Sequence, residues 1–564
     1  MRFGLFYLLA FCWIFPVGSP AEPQIILNHI GYPPSASKEC LLPGDTPTAF
    51  VICRAGTREI RFRGIMTPHQ GDFGWYRIGR FDEFSENGTF ILFAGEESSY
   101  PFTIHPTVYE QPMQTILRYF SIQRCGPSES GYNGPCHLDD GYRVENEKKT
   151  EKHIDVTHGW HDASDLRKWV SATIFGMIGI ASAYEANPES FCQEDILDEL
   201  QWGNHYFLGM QEPEGYIMNH CAGDVFQHGD QNRWSDSVFQ NDDDRLIRTE
   251  PCLLNAQYNF IYTEAQMARL THEVSPAYSQ RCLETAEKCL QWCLNQETSQ
   301  ANDLGAAAAA CVQLYKTTQD SKYTDLTVKF LDTMLALQVD EPIDTETPVR
   351  GFFRYHAQTN VPQQDIFRGC WHLLALCDAV ETFPAHPNVK TWKQAISLYS
   401  QEYLQRLAAR NGFGIVPFGL FVNKDPGGAR QIGDYWYRYF MIPHPTWWVG
   451  INANLASAGV GLAKAARILG QPDLLALAQR QLDWIVGSNP FNASTVTDLG
   501  YNQPQAFINW NEFRPHTPLI PGAVMNGIGG TPEDMPALLP SHWQTTEYWT
   551  PMIGYTLWLM AELQ

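Results

Sequence analysis

Residues 159–165 read Gly159-Trp160-His161-Asp162-Ala163-Ser164-Asp165, and an apolar run with helical spacing, residues 166–184, follows them. Two carboxylates therefore stand three residues apart at what reads as a helix start. Asp162 suits the N-cap and Asp165 the first turn. The positive end of a helix presents free N–H groups and stabilises negative charge, so at least one of the two should stay ionised. An ionised carboxylate pair facing a pocket can grip and deprotonate a water. The plain alternative is that Asp-x-x-Asp at a helix start serves only as a cap.

Working outward, 564 residues are too many for one ordinary domain, and 44% hydrophobic content suits a large globular core. The net charge of −23 argues against nucleic acid and anionic membrane as partners. Aromatic residues make up 13% of the chain, with 17 Trp and 25 Tyr; such rings fill cores and also line sites that stack on sugar faces. Arg2, the apolar run 5–15 and Ser19-Pro20-Ala21 read as a secretory signal over residues 1–21, which implies a secreted or periplasmic mature chain. That run is short for a bilayer, and the next most apolar stretch, 166–184, carries Arg167 and Lys168 near its start, so no membrane span is expected. Of 14 Cys, Cys12 falls in the signal, and the odd number left cannot all pair. Cys289, Cys311, Cys370 and Cys377 sit in apolar helical settings, as small buried hydrophobes do.

Residues 24–105 read as β. Strand-like runs fall at 24–28, 49–54, 59–63, 74–78, 88–93 and 100–104, punctuated by Gly, Pro, Asn and Asp, the pattern of a small β-sandwich over residues 22–106. From Met113 the period becomes helical. Twelve candidate helices span 113–123, 166–184, 192–211, 255–270, 276–294, 303–317, 323–337, 367–382, 388–409, 453–469, 473–486 and 547–563. The long stretches 212–251, 340–364, 412–447 and 488–544 read as loops, and loops of that length usually carry function. About a dozen helices with long loops suggest an α/α barrel over residues 107–564, the chain as a whole being mainly α.

Several segments together resemble glycoside hydrolase family 9, the family of many cellulases. Ile25-Ile26-Leu27-Asn28-His29-Ile30-Gly31-Tyr32 looks like the opening strand of the immunoglobulin-like domain that precedes some of its catalytic domains, and Leu117-Arg118-Tyr119-Phe120-Ser121-Ile122-Gln123-Arg124-Cys125-Gly126 looks like the first catalytic-domain helix. Residues 159–165 resemble the Asp-Ala-Gly-Asp motif, with Ser164 in place of Gly. Gly487-Ser488-Asn489-Pro490-Phe491 with Gly500-Tyr501-Asn502-Gln503-Pro504 resembles the late active-site loop, and Thr546-Glu547-Tyr548 the segment holding the catalytic acid. The resemblance implies an (α/α)6 barrel and inverting hydrolysis of a β-glycosidic bond in an oligo- or polysaccharide. It makes Asp165 the base, Asp162 a holder of the water and Glu547 the acid. Room for the water sets the two groups roughly 6.5–9.5 Å apart in inverting enzymes, and Glu547, flanked by Trp543, Tyr548 and Trp549, would need a raised pKa.

The chain departs from that pattern. The His-His-Arg element usual in the cellulases is absent from residues 507–516, where Trp510, Arg514 and His516 are the candidates to touch sugar, alongside Trp543 and Trp549. The Asp-Tyr that commonly precedes the acid is replaced by His542-Trp543-Gln544-Thr545-Thr546. These losses bear on cellulose as the substrate more than on glycoside hydrolysis.

Cys125, Cys136, His137 and His161 form a set suited to tetrahedral zinc. Their spacing is weak evidence, and relatives with the immunoglobulin-like domain supply the case for a structural zinc beside the first catalytic Asp. His153 and His158 compete for the fourth position, and a Cys125–Cys136 disulfide is the alternative in a secreted protein. Calcium is a further candidate ion of the family. Asp242-Asp243-Asp244 offers oxygen ligands, although a solvated charge run reads more simply. Other readings of the whole chain are an exo-acting β-glucosidase or exo-β-glucosaminidase, a carbohydrate-binding protein without catalysis, and a polysaccharide lyase, since α/α barrels host lyases too.

Overall fold

The strand Thr48–Arg54 alternates buried Phe50 and Ile52 with outward-facing neighbours, as a half-buried β-strand must. It pairs antiparallel with Gly88–Ala94 on one side and with the first half of the long strand Ile60–Gly71 on the other. The second half of Ile60–Gly71 pairs with Gly74–Arg80, which in turn takes Glu39–Pro43. Phe102–Ile104 adds to Gly88–Ala94, and Gly31–Tyr32 lies parallel beyond it. Ile25, Leu27, Tyr32, Phe50, Ile52, Met66, Phe81, Phe90, Leu92 and Phe102 form a core of their own for this β region. Residues 24–28, expected as a strand, make only isolated bridges at Ile25 and Ile26. The computed structural model describes residues 23–132, 134–223, 234–364, 367–424, 430–444, 447–507 and 519–564. The expected signal, residues 1–21, and the candidate sugar contacts Trp510, Arg514 and His516 lie outside them.

Among the described residues twelve longer helices follow, one overlapping each stretch the sequence pattern marks: α1 Glu110–Ile122, α2 Val170–Ala186, α3 Gln193–Gly209, α4 Leu254–Thr271, α5 Pro276–Cys293, α6 Ala301–Thr318, α7 Ser321–Leu335, α8 Trp371–Thr382, α9 Val389–Ser397, α10 Asn452–Leu469, α11 Pro472–Ile485 and α12 Thr550–Leu563. Helix α2 packs on α4, α4 on α6, α6 on α8, α8 on α10, α10 on α12, and α12 back on α2. These six are buried almost all round; in α6 the run Leu304–Leu314 is entirely inside. The odd-numbered helices lie against them and bury one face, as α7 does through Tyr323, Thr327, Phe330, Leu331 and Met334. Small residues permit the close approaches. A Cβ on Gly179 of α2 would meet the Gly554 backbone of α12 at 2.4 Å. None of the helices among the described residues is long and apolar enough to cross a membrane.

The structure corrects several readings. Helix α2 begins at Val170, not at residue 166, because Lys168–Trp169 is drawn into a strand against His220–Cys221. The stretch 212–251, expected as loop, supplies Met218–Ala222 and Leu246–Pro251 to a five-stranded sheet with Tyr142–Glu145, Lys148–His153 and Lys168–Trp169. The 388–409 helix changes to a π-helix over Leu398–Gln405.

The hairpin at the end of the long strand plugs the β region into the helices. At its tip Asp72 N–H donates to the Arg410 carbonyl at 2.8 Å. Phe73, 6% exposed, lies among the rings of Phe413, Tyr439, Phe440 and Trp484. The family-like segment at 25–32 meets the one at 487–504. His29 Nε2 pairs with Asn492 Oδ1 at 2.9 Å, Tyr501 N–H donates to His29 Nδ1 at 3.1 Å, and Asn28 Nδ2 donates to Asp483 Oδ1 at 2.8 Å.

Candidate active site and metal centre

Asp162 and Asp165 sit in a tight loop ahead of α2. The loop is closed by Asp162 N–H donating to the Arg167 carbonyl at 2.9 Å, with Leu166 at φ 62°. Neither carboxylate caps a helix; the residue before α2 is Trp169. The helix-end argument for their ionisation therefore fails, and burial and charge decide instead. Asp162 is 2% exposed, and its pKa is pushed well above the usual carboxylate range, first by burial and then by the charge of Asp165. Asp165 is only half-buried, and its Oδ2 lies 2.8 Å from Arg167 Nε. The two groups thus divide into a buried one that resists ionisation and a half-buried one paired with a cation.

Glu547 reaches the same place from the other end of the chain. It lies in an extended segment (φ −75°, ψ 138°) between the short helix Trp543–Thr546 and α12, not in the first turn of a helix as expected. The segment is stitched to the aspartate loop. Ser164 Oγ donates to Glu547 Oε1. Thr550 donates from both N and Oγ1 to the Asp162 carbonyl, at 2.9 and 2.8 Å, across 388 residues of sequence. Trp549 Nε1 donates to Asp162 Oδ2 at 2.9 Å, while Asp162 Oδ1 is buried and accepts no hydrogen bond from the described residues. The charges of both Asp165 and Glu547 bear on Asp162, so the three carboxyl groups named from the sequence form one cluster.

Trp549, expected to bind sugar, spends its N–H on Asp162, and its ring lies 4.4 Å from that of Phe367. Trp447, 38% exposed, lies 6.2 Å beyond Phe367. Trp543 is half-buried against the core, and its carbonyl accepts from Asn526 Nδ2 at 2.8 Å. Sequence reasoning missed Ser164, Arg167, Phe367 and Trp447. Only Ser164 carried a signal, as a departure from the family motif.

Directly behind the aspartate loop, ligand atoms of Cys125, Cys136, His137 and His161 lie within 4.8 Å of one another, all buried. Cys125 and Cys136 are free thiols, so the disulfide alternative is set aside. Cys125 Sγ is 3.7 Å from His137 Nδ1, and Cys136 Sγ is 3.7 Å from His161 Nε2. A tetrahedral ion with sulfur near 2.3 Å and nitrogen near 2.0–2.1 Å spaces such ligands about 3.6 Å apart, so both measured pairs stand close to the spacing a metal needs. Burial and the Arg245 charge lower the His161 pKa to about 3, which keeps the ring neutral as a ligand must be. Its Nδ1 is engaged by the Leu166 carbonyl at 3.0 Å, which leaves Nε2 for the ion. Leu166 O also accepts from Arg245 Nη1 at 2.7 Å, and Arg245 with Lys168 grips the fully buried Asp140. His153 and His158 pack elsewhere, on Tyr142 and Phe239 and on Trp202 and His205. Of the acidic loop, Asp243 joins Asp139 and Asp236 in a second carboxylate group, whereas Asp244 is buried in an ion pair with Lys149.

A cluster of carboxyl groups, one that resists ionisation and another paired with a cation, beside aromatic rings that suit a sugar face, is the arrangement a hydrolase of glycosidic bonds needs. Residues 109–549 match the model of glycosyl hydrolase family 9, and the chain belongs to that family. Endoglucanase D of Acetivibrio thermocellus is 25% identical over 95% of this chain and 83% of its own length. Among solved structures, a metagenome-derived glycoside hydrolase family 9 endoglucanase superposes with a TM-score of 0.71 at 20% identity, covering 96% of this chain and 98% of the other. A zinc-binding triple mutant of another family 9 endoglucanase gives 0.69 at 19% identity, over 94% and 99% of the two chains.

Proposed function

We propose that this chain is a cellulase-type hydrolase that cleaves β-glycosidic bonds in a β-glucan or related oligosaccharide with inversion, on an (α/α)6 barrel preceded by an immunoglobulin-like domain at residues 22–106. The closed cycle of the six even-numbered helices with the odd-numbered ones outside supports the barrel. The separate core of the β region supports the domain boundary. The observation that carries the reaction is the convergence of Asp162, Asp165 and Glu547 through the Ser164–Glu547 and Trp549–Asp162 hydrogen bonds.

Asp165, half-buried and paired with Arg167, takes a proton from water. Asp162 assists in holding that water. The water oxygen bonds to the anomeric carbon as the carbon–oxygen bond to the leaving sugar breaks, and Glu547 delivers its proton to the departing oxygen. Asp162, Phe367, Trp447 and Trp549 position the sugar and the water between these groups. Cys125, Cys136, His137 and His161 would hold a structural zinc, which supplies no bond-breaking chemistry and fixes the loop through the His161–Leu166 bond. The endoglucanase, cellobiosidase and cellodextrinase names of the relatives weigh against the β-glucosidase, exo-β-glucosaminidase and binding-only alternatives. Family membership weighs against a lyase, and the signal-like residues 1–21 support secretion.

The test is the fate of the anomeric centre together with two substitutions. Asp165→Asn and Glu547→Gln should each lower turnover on a β-glucan by at least roughly a hundredfold, the scale of general acid–base catalysis, with the fold intact. NMR of the first products should show the inverted anomer; a retained anomer would overturn the assignment.

A further inference from the structure

Ser164 stands between the two aspartates, where the family motif carries glycine. It is 0% exposed, and its Oγ donates to Oε1 of a residue 383 positions away, Glu547. A glycine there has no atom that could make this bond. A carboxylic acid holds one proton on one of two oxygens, and an acid catalyst works only if the protonated oxygen is the one that faces the leaving group. We propose that Ser164 is the positioning residue of the general acid: its hydroxyl claims Oε1 of Glu547 and so commits Oε2 to carry the proton to the departing glycosidic oxygen. This rests on the reading of Glu547 as the acid.

The geometry gives the bond a second consequence. As the proton leaves Oε2, negative charge develops on the carboxyl group, and a hydrogen bond donated to a charged acceptor is roughly twice as strong as one to a neutral acceptor. Ser164 therefore stabilises what forms during proton transfer more than what precedes it, which is the condition for lowering a barrier. Among the described residues, Asp162, Tyr119 and Tyr548 are the other groups on which the Glu547 charge bears. Asp162 comes from the same loop as Ser164, with the Asp165–Arg167 pair beyond it. Tyr119 of α1 and Tyr548 feel the Glu547 charge, and both have Tyr132 beside them. Tyr119 Oη accepts from Gln123 Nε2 at 3.1 Å.

The test compares two substrates on the intact protein: a cello-oligosaccharide, whose leaving oxygen needs a proton, and a dinitrophenyl β-cellobioside, whose leaving group does not. Ser164→Ala should lower kcat on the first about tenfold to a hundredfold and leave the second within about threefold. Its alkaline limb on the oligosaccharide should move to higher pH, because the donor that favours ionised Glu547 is gone. Ser164→Gly should behave like Ser164→Ala, and Ser164→Thr, which keeps a hydroxyl, should restore both the rate and the limb. Equal losses on both substrates with an unmoved alkaline limb would assign Ser164 a packing role and overturn the proposal. Glu547→Gln run in parallel separates the two layers. If it shows the leaving-group dependence and Ser164→Ala does not, the Ser164 proposal alone falls; if Glu547→Gln lacks the dependence, the acid reading falls and the proposal with it.

Discussion

The Trp549 indole N–H donates to Asp162 Oδ2 at 2.9 Å, joining residues 387 positions apart. Without that bond the buried carboxylate would keep its desolvation and lose its fixed orientation. Trp549→Phe removes the donor and keeps most of the ring that packs on Phe367. It should cut kcat about tenfold to a hundredfold on a β-glucan. The bond lowers an Asp162 pKa that burial raises, so its loss raises that pKa further and moves the acid limb of the rate profile to higher pH. A pH–rate profile superimposable on that of the parent would show that the bond has no catalytic consequence.

Phe73 is the β region's main apolar anchor in the helices. Phe73→Ala deletes a ring held by Phe413, Tyr439, Phe440 and Trp484. A large-to-small change at such a site costs about 3–5 kcal/mol. The neighbouring ties, Asp72 accepting from the hydroxyls of Tyr437 and Tyr439 at 2.8 and 2.9 Å, depend on the same hairpin. Calorimetry should show the loss as a lower unfolding temperature, with the β region separating from the main transition. An unchanged single transition would deny the hairpin its supporting role.

What the sequence disclosed and what it hid divide along the range of the interactions. The helices follow from a local period, and one overlaps each of the twelve stretches that period marks, because an apolar stripe every three to four residues needs no distant partner to be read. The aspartate loop is different. Its residues were legible as a motif, but its conformation depends on Lys168–Trp169 pairing with His220–Cys221 and on Leu166 O meeting His161 and Arg245. None of those partners is signalled locally, so the helix was placed four residues early and the carboxylates were given a helix end they do not touch. For the same reason the stretch 212–251 read as loop although it supplies two strands. Trp549 was legible as an aromatic beside the acid, but its N–H partner lies at the far end of the chain.

Glu264 of α4 is wholly buried and is held by Asn204 Nδ2 at 3.3 Å; burial raises its pKa to about 8. Below about pH 4.5 both folded and unfolded chains keep the proton. Between there and pH 8 only the unfolded chain releases it, so the folded state loses stability as pH rises through that window. Glu264→Gln removes the titration. Relative to the parent, the variant should gain a few kcal/mol on going from about pH 5 to pH 8, by urea unfolding at both values. A difference that stays flat with pH would show that Glu264 is not held protonated.

The metal centre offers the last prediction because its failure would be visible without any assay of turnover. The ligands Cys125, Cys136, His137 and His161 are buried and already spaced for a tetrahedral ion. A soft two-sulfur, two-nitrogen set selects zinc over calcium. Purified protein should hold about one equivalent of zinc, with X-ray absorption showing sulfur near 2.3 Å and nitrogen near 2.0–2.1 Å. His161 carries the consequence to the reaction, since its Nδ1 holds the Leu166 carbonyl immediately after Asp165. His161→Ala, or removal of the ion with a strong chelator, should therefore loosen residues 159–169 in hydrogen exchange and lower activity at least about tenfold, the usual scale for losing support of a site. The helical circular dichroism should persist, because the six even-numbered helices pack without the ion. Less than a tenth of an equivalent of zinc in active protein would remove the ion from this account and leave the loop to Arg245, Lys168 and Asp140 alone.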